Sequence, residues 1–468
     1  MAPAPLQSTA RMLRARYALV YSTDTAWDDA ELMLVRIPAL RLMWGNDLVK
    51  WWLSQPDRRW VRPTDLVFEP GAQVEPPRIN MFGGLTVDPV ACTDDDVRPM
   101  LDLLRHLCAE SAPTAEGVAT LVHWVLCWLA LPLQKIGTKM QTALIFHGPQ
   151  GTGKNLFFDM QRDIYGDYGI TVGQAEIDDN KNAWASRKLF ILADEVMSRA
   201  ELYHKKNMLK ALVTQAEKFP IRSMYMDVRW ERNCANLVFT SNEDQPLALE
   251  ERDRRYCVIY TPLEADAELY QRVRDFKAAG GIGKWLHYLL RYDVGEFDAH
   301  AKPPMTAAKE ALIQLTWRPP ERFAYEWLEG FLDLPVQVCS RDQLYRCFRR
   351  WCDLTGQKWP PDSDQFTRAL NRWVGERVQR GADGKRELPR LKYKIVQVPV
   401  DDNGLKPVRK AWKVWLPQGT GFENASPMPG VTEGQWAKEA IEAFEHKVRA
   451  FCRSYGRSES DDGPPDKD

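Results

Sequence analysis

HGPQGTGKN (His147–Asn155) is the stretch whose reading decides this chain. The apolar ALIF (Ala143–Phe146) precedes it and the helical pattern LFFDMQRDIYG follows, so a GxxxxGK spacing falls between a short buried strand and a helix. In that context the glycines let backbone N–H groups converge on phosphate oxygens, and the helix N-terminus adds its dipole. Gly148, Pro149, Gln150, Gly151, Thr152, Gly153, Lys154 and Asn155 therefore form a candidate triphosphate cradle, with Lys154 reaching the β and γ phosphates. The last residue departs from the usual pattern. Asn155 replaces the serine or threonine whose hydroxyl ligates magnesium, although an asparagine carbonyl oxygen is also a hard-cation ligand, one atom further out.

Three further segments supply what a phosphate loop lacks. KLFILADE (Lys188–Glu195) is an apolar run ending in two acids, which puts Asp194 and Glu195 at the C-terminal tip of a buried strand, where open parallel sheets do their chemistry. Asp194 is placed to hold magnesium with Asn155, and Glu195 to orient and deprotonate an attacking water. A small-molecule kinase needs no such glutamate; a hydrolase does. NLVFTSN (Asn236–Asn242) ends in Asn242, whose amide suits the same water. ERDRRYCVIY sets Arg252, Arg254 and Arg255 before another strand, and a guanidinium there can stabilise charge on a transferring phosphoryl group. If Arg254 and Arg255 point away from their own nucleotide they serve a neighbour's, which implies a ring; the alternative is a set of surface charges.

Composition bounds the rest. With 468 residues, 44% of them apolar, the chain can bury several cores, and its length suggests roughly two to four domains. The formal charge is -1, but Cys339 to Lys413 carries 18 Lys and Arg against 9 Asp and Glu, a basic block suited to a polyanion. Nine cysteines without a CxxC or a His partner at metal spacing read as reduced, packed thiols of a cytoplasmic protein. VATLVHWVLCWLALPL (Val118–Leu133) is too short and too interrupted, by His123 and Pro132, to cross a bilayer, and reads as a core helix; no membrane is expected. The Arg-rich start, MAPAPLQSTARMLRAR, reads as a frayed terminus rather than a transit peptide.

The order GPQGTGKN, FILADE, FTSN, DRRY resembles the superfamily 3 helicases of the AAA+ class, most closely the phage and mobile-element replication helicases often joined to primases. All four motifs fall between Gly148 and Tyr256, and a weaker likeness extends to INMFGG, the helices before the loop and the C-terminal region. The resemblance implies an α/β fold: a P-loop motor around a central parallel sheet, preceded by a helical subdomain and followed by a winged-helix-like domain. It implies ATP and Mg2+ as cofactors, a homo-hexamer, and movement on single-stranded or forked DNA in a bacterial host's cytoplasm, with a separate primase or replication protein as a partner. The short N-terminal region shows no primase acids. Related phage sequences tolerate asparagine at the position of Asn155, so an active ATPase is expected.

The family places a lysine at the tip of a pore hairpin between the acidic strand and Asn242. Here that region reads EKFPIRSMYMDVRWERN (Glu217–Asn233), with its tip at Ser223 to Asp227, so DNA contact would fall on Lys218, Arg222, Tyr225 or Arg229. The chain divides into a small mixed α/β region (1–92), a collar-like helical subdomain (93–139), the ATPase core (140–265), a helical lid or linker (266–335), the basic winged-helix-like domain (336–418), and a helix with an acidic disordered tail (419–468). In the basic domain, SRDQLYRCFRRWCDLTG (Ser340–Gly356) and SDQFTRALNRWVG (Ser363–Gly375) read as amphipathic helices, followed by a hairpin of KYKIVQV and KAWKVWL around DDNG. The function expected is that of an ATP-dependent DNA helicase; the alternatives are an ATP-switched DNA-binding or loading protein and a small-molecule kinase.

Overall fold

The structure, a computed structural model, describes residues 4–179, 181–195, 210–214, 219–222, 229–243, 246, 249, 253–262, 267–315, 317–376, 378–380, 387–400, 408–418, 427 and 430–454. By its internal contacts the chain divides into two compact units, 1–315 and 316–468.

The first unit opens on a helix, α1 (Ala4–Arg16), and not on the frayed end expected from its sequence. Leu13 is wholly buried, and Arg16 makes two hydrogen bonds of 2.7 Å to the buried Asp28, contacts that offset the entropy of ordering a terminus. Strands β1 (Tyr17–Val20), β2 (Thr25–Asp28), β3 (Met33–Arg36) and β4 (Trp60–Val61) form a small sheet in the order β3-β2-β1-β4. Helices α2 (Ile37–Trp44) and α3 (Asn46–Ser54) cover one face through Leu40, Val49 and Trp52. The other face, with Ala18, Val20 and Trp27, shares a core with the rest of the unit. A two-residue parallel pair, β5 (Leu66–Val67) and β6 (Ile79–Asn80), then leads to α4 (Arg98–Cys108) and α5 (Ala115–Gln134). Thr114 caps α5 by accepting a 3.1 Å bond from the Gly117 amide, and the helix runs through Pro132 to Gln134. Helix α5 is long and apolar enough to cross a membrane, but Leu121, Val122 and the whole run Val125 to Leu133 are buried inside the protein, which accounts for its composition.

Five parallel strands make the central sheet: β7 (Ala143–His147), β8 (Gly169–Val172), β9 (Phe190–Asp194), β12 (Asn236–Ser241) and β13 (Tyr256–Tyr260), in the order β13-β7-β12-β9-β8. Every residue of β7 and β12 is buried, as expected of parallel strands covered on both faces. The register matters for function. Ser241 lies beside His147 and Thr240 beside Asp194, so β7, β12 and β9 end level with one another. Helix α6 (Lys154–Ile164) follows β7, α7 (Gln174–Asp178) follows β8, and β10 (Phe219–Ile221) with β11 (Arg229–Glu231) forms an antiparallel hairpin. Helices α8 (Ala267–Ala278), α9 (Gly281–Arg291) and α10 (Ala307–Leu315) complete the unit.

The second unit contains α11 (Pro319–Leu328), β14 (Cys339–Ser340), α12 (Arg341–Leu354), α13 (Ser363–Glu376), the short pair β15 (Val378–Arg380) and β16 (Glu387–Pro389), the ten-residue strands β17 (Leu391–Val400) and β18 (Val408–Pro417), and α14 (Glu433–Ser454). Its three-stranded sheet has the order β14-β18-β17. Pro319 and Pro320 form the first turn of α11, where a missing N–H costs nothing. Phe323 and Trp327 of α11 and Phe444 and Val448 of α14 share one core with Phe348, Phe366 and Trp373. The core of this unit thus draws on residues on both sides of the 336–418 segment. The DDNG turn and the acidic tail lie outside the described residues.

Candidate nucleotide site at the end of the parallel sheet

The loop after β7 needs three left-handed backbone positions, and glycine fills each: φ is 136° at Gly148, 84° at Gly151 and 88° at Gly153. At Gly148 a Cβ would also sit 2.5 Å from the Thr261 carbonyl oxygen, so no side chain fits there. The chain then enters α6 at Lys154, whose side chain folds back into the loop. Its Nζ donates to the carbonyl oxygens of Gly148 (2.9 Å) and Pro149 (2.8 Å) and to Thr152 Oγ1 (3.2 Å). Lys154 is only 5% exposed, and all three of these acceptors are neutral. Burial lowers its pKa to about 8, opposed by the nearby charges of Asp194 and Glu195. A buried ammonium bonded only to neutral oxygens is chemically suited to an anion such as a phosphate.

The acids face this loop. Asn155 Nδ2 donates to Asp194 Oδ2 at 2.9 Å, and Thr240 Oγ1 donates to Asp194 Oδ1 at 2.7 Å, so both carboxylate oxygens are oriented. With its amide nitrogen on Asp194, Asn155 keeps its carbonyl oxygen as an acceptor. A serine hydroxyl would combine donor and acceptor on one atom; asparagine divides the two roles between two. Asn155 and Asp194 thus suit a magnesium ion as a hard-oxygen pair. Glu195 stands one residue beyond β9 in the left-handed region, with φ of 52°, a conformation costing a non-glycine residue about 1 kcal/mol or more. Its amide donates to the Thr240 carbonyl (2.9 Å) and its Oε1 accepts from Asn242 Nδ2 (2.7 Å), which hold the strained turn in place.

The arginines divide. Arg255 is turned back onto the buried Asp253, with Nη1 to Oδ2 at 3.0 Å and its backbone amide to Oδ1 at 2.9 Å. Arg254, next to it, is exposed and makes no ion pair among the described residues. Arg252 lies outside them. Of the hairpin residues, Arg222 is exposed one residue beyond β10, where its amide donates to Asn182 Oδ1 at 2.7 Å. Arg229 opens β11, while Lys218 and Tyr225 lie outside the described residues.

Two members of the site escaped the sequence reading. Thr240 sits in a buried strand where a valine would serve as well, and only its register with Asp194 reveals the hydrogen bond. Asp253 reads as one more charge among arginines until its burial is seen. A separate groove of about 650 Å3 between α4, α5 and α9, lined by Val118, Val122, Leu126 and Tyr288, is apolar and contains none of these groups. Among the described residues no cluster of His, Cys, Asp or Glu forms a metal site of its own.

Residues 146–255 match a family described as of unknown function, DUF5906. Over 135 residues the chain is 31% identical to the DNA primase-polymerase of Nitratiruptor phage NrS-1, a match spanning 28% of this chain and 18% of that protein. The aligned part is thus under a fifth of the phage protein's length. Among solved structures, the apo C-terminal region of NrS-1 superposes with a TM-score of 0.58 at 19% identity, covering 88% of this chain and 99% of the other. Another structure of that region, described as its A form apo structure, gives a TM-score of 0.56, again at 19% identity, over 89% and 100%. This is a mixed α/β protein with a parallel sheet, sharing its fold with the NrS-1 C-terminal region. Over 135 of its residues it is related in sequence to a phage DNA primase-polymerase.

Proposed function

We propose that the chain is an ATP-dependent DNA helicase of the superfamily 3, AAA+ kind, acting in phage or mobile-element replication in the host cytoplasm. One observation carries the reading: Lys154, Asn155, Asp194, Glu195 and Asn242, spread over 89 positions of sequence, meet at the level ends of β7, β9 and β12, three of them in direct side-chain hydrogen bonds with the acids or the loop. The relationship to a phage primase-polymerase favours replication as the setting.

In this proposal the backbone amides of Gly151 to Lys154 hold the β phosphate and the Lys154 ammonium lies between the β and γ phosphates. Asp194 and the Asn155 carbonyl oxygen would hold magnesium, which would supply positive charge to the triphosphate. Glu195 accepts a proton from the attacking water, and Asn242 fixes that carboxylate's direction. Arg254, exposed and in no ion pair among the described residues, reaches the nucleotide of a neighbouring subunit in a homo-hexamer, while Arg255 stiffens the turn that presents it. Arg222 and the hairpin of β10 and β11 face single-stranded DNA.

Stimulation of ATP hydrolysis by single strands, together with displacement of a strand from a tailed duplex, tests the proposal. Both are expected. ATP-dependent DNA binding without displacement at any oligomeric state would favour a loading protein; absence of hydrolysis with and without DNA would overturn the motor.

A further inference from the structure

The second unit has its own chemistry, and it concerns which of its cations are neutralised. Arg341 binds Asp364 at 2.6 Å, Arg346 binds Glu445 at 2.6 Å, Lys394 binds Glu433 at 2.6 Å and Arg390 pairs with Glu329. On α13 the pattern reverses. Phe366, Leu370, Trp373 and Val374 face the core, and Gln365, Arg368, Asn371 and Arg372 form the exposed stripe at helical spacing. The only bond from these four side chains among the described residues is a 3.3 Å contact of Arg368 Nε with the Asp364 carbonyl.

The neighbouring hairpin adds cations on the same side. Tyr393 and Trp415 are register partners whose rings lie 4.8 Å apart and pack in one core with Phe366, Leu370 and Trp373. By strand alternation Ile395, Lys413 and Arg409 share that sheet face, further along the hairpin. Ile395 is 56% exposed, and Lys413 and Arg409 are exposed. The opposite face, with Val396, Val398, Val414 and Leu416, is capped by Trp436, Ala437 and Ile441 of α14. One face is closed by α14; the apolar side of α13 packs on the other, which also carries Lys413 and Arg409, neither of them in an ion pair among the described residues.

We infer that α13 reads base edges in the major groove of duplex DNA, with Lys413 and Arg409 on the backbone phosphates. The groove admits one helix, and the stripe carries the side chains that discriminate bases there: arginine pairs bidentately with guanine O6 and N7, and glutamine or asparagine with adenine N6 and N7. A strand-binding surface would interleave cations with exposed aromatic rings for stacking, and this stripe has none. From Gln365 to Arg372 the helix rises about 10 Å, matching about three base-pair steps. This recognition goes beyond the nucleotide reading and needs neither Lys154 nor ATP.

The test uses the full chain without nucleotide, selecting from a pool of randomised duplexes at about 0.1 M salt and then measuring affinity for the enriched duplex, a scrambled duplex and the enriched sequence as a single strand. A word of about three or four base pairs is expected. Arg372→Ala lowers affinity for that word about tenfold or more and relaxes one position, with the scrambled duplex little changed. Arg372→Lys, which keeps the charge and the helix, loses the preference but holds the scrambled duplex. Lys413→Ala weakens both duplexes equally and lowers the slope of log affinity against log salt by about one. A pool that returns no word, a single strand that competes as well as the duplex, or a word unaltered by Arg368→Ala and Arg372→Ala would overturn the inference.

Discussion

The end of the parallel sheet and the open face of the second unit handle polar groups in opposite ways. Around the loop, the reactive side chains are bonded to one another: Asn155 and Thr240 to Asp194, Asn242 to Glu195, Lys154 to its own loop. On α13 the exposed side chains of Gln365, Asn371 and Arg372 make no hydrogen bond or ion pair among the described residues, while cations elsewhere in the unit are paired. The difference teaches where orientation comes from. A catalytic group must be aimed before its substrate arrives, so its neighbours aim it. A recognition surface keeps its donors free, because the ligand supplies the acceptors and any internal bond would have to be broken first.

The largest effect expected is at the loop. Lys154→Ala should abolish ATP binding, seen by titration calorimetry, because among the described residues its ammonium is the cation bonded into the loop; retained affinity would mean that the loop is only a turn. Next, Arg254→Ala should reduce turnover on the order of a thousandfold with nucleotide affinity spared. Mixing it with Lys154→Ala subunits should restore part of the activity, and no recovery would speak against a shared site. A double-mutant cycle then probes the contrast itself. Asn155→Ala and Thr240→Val both act on Asp194, so their effects on ATPase should be non-additive by about 1 kcal/mol, whereas Arg368→Ala and Lys413→Ala should add in duplex binding. Equal additivity in both pairs would erase the distinction drawn between the two regions.

A further effect lies outside both. Lys139 is 8% exposed, donates to the Ala235 carbonyl, and is driven by burial to a pKa of about 7. With the folded value below the unfolded one, the cost of burying the charge is complete below pH 7 and fades as pH rises toward 10.5. The stability of Lys139→Met relative to the parent should therefore fall by about 3 kcal/mol between pH 7 and 9.5 in denaturant unfolding. A gap that does not change with pH would mean that Lys139 stays charged in the fold.

Much of this was legible in the sequence because the site is made of contiguous motifs. GPQGTGKN, LADE and FTSN each carry their own strand and their own functional residue, and apolar runs of this kind suit a buried parallel sheet. Side-chain pairing across strands was not legible. Thr240 earned no attention without the register, and Asp253 could not be separated from a surface charge without its burial. The amino-terminal helix was missed because its stability rests on Leu13 and on the Arg16–Asp28 pair, both tertiary contacts. The core of the second unit was not legible for a similar reason: charge marks the basic segment, but the core draws on helices at either end of it.

The most direct test of the central claim is ATP turnover by Glu195→Gln with and without single-stranded DNA, measured beside ATP affinity. The account predicts affinity close to the parent's and turnover lower by about a hundredfold or more, since the amide keeps the bond to Asn242 but cannot take a proton. Turnover equal to the parent's would remove Glu195 as the base and, with it, the assignment of this sheet end as a hydrolytic site.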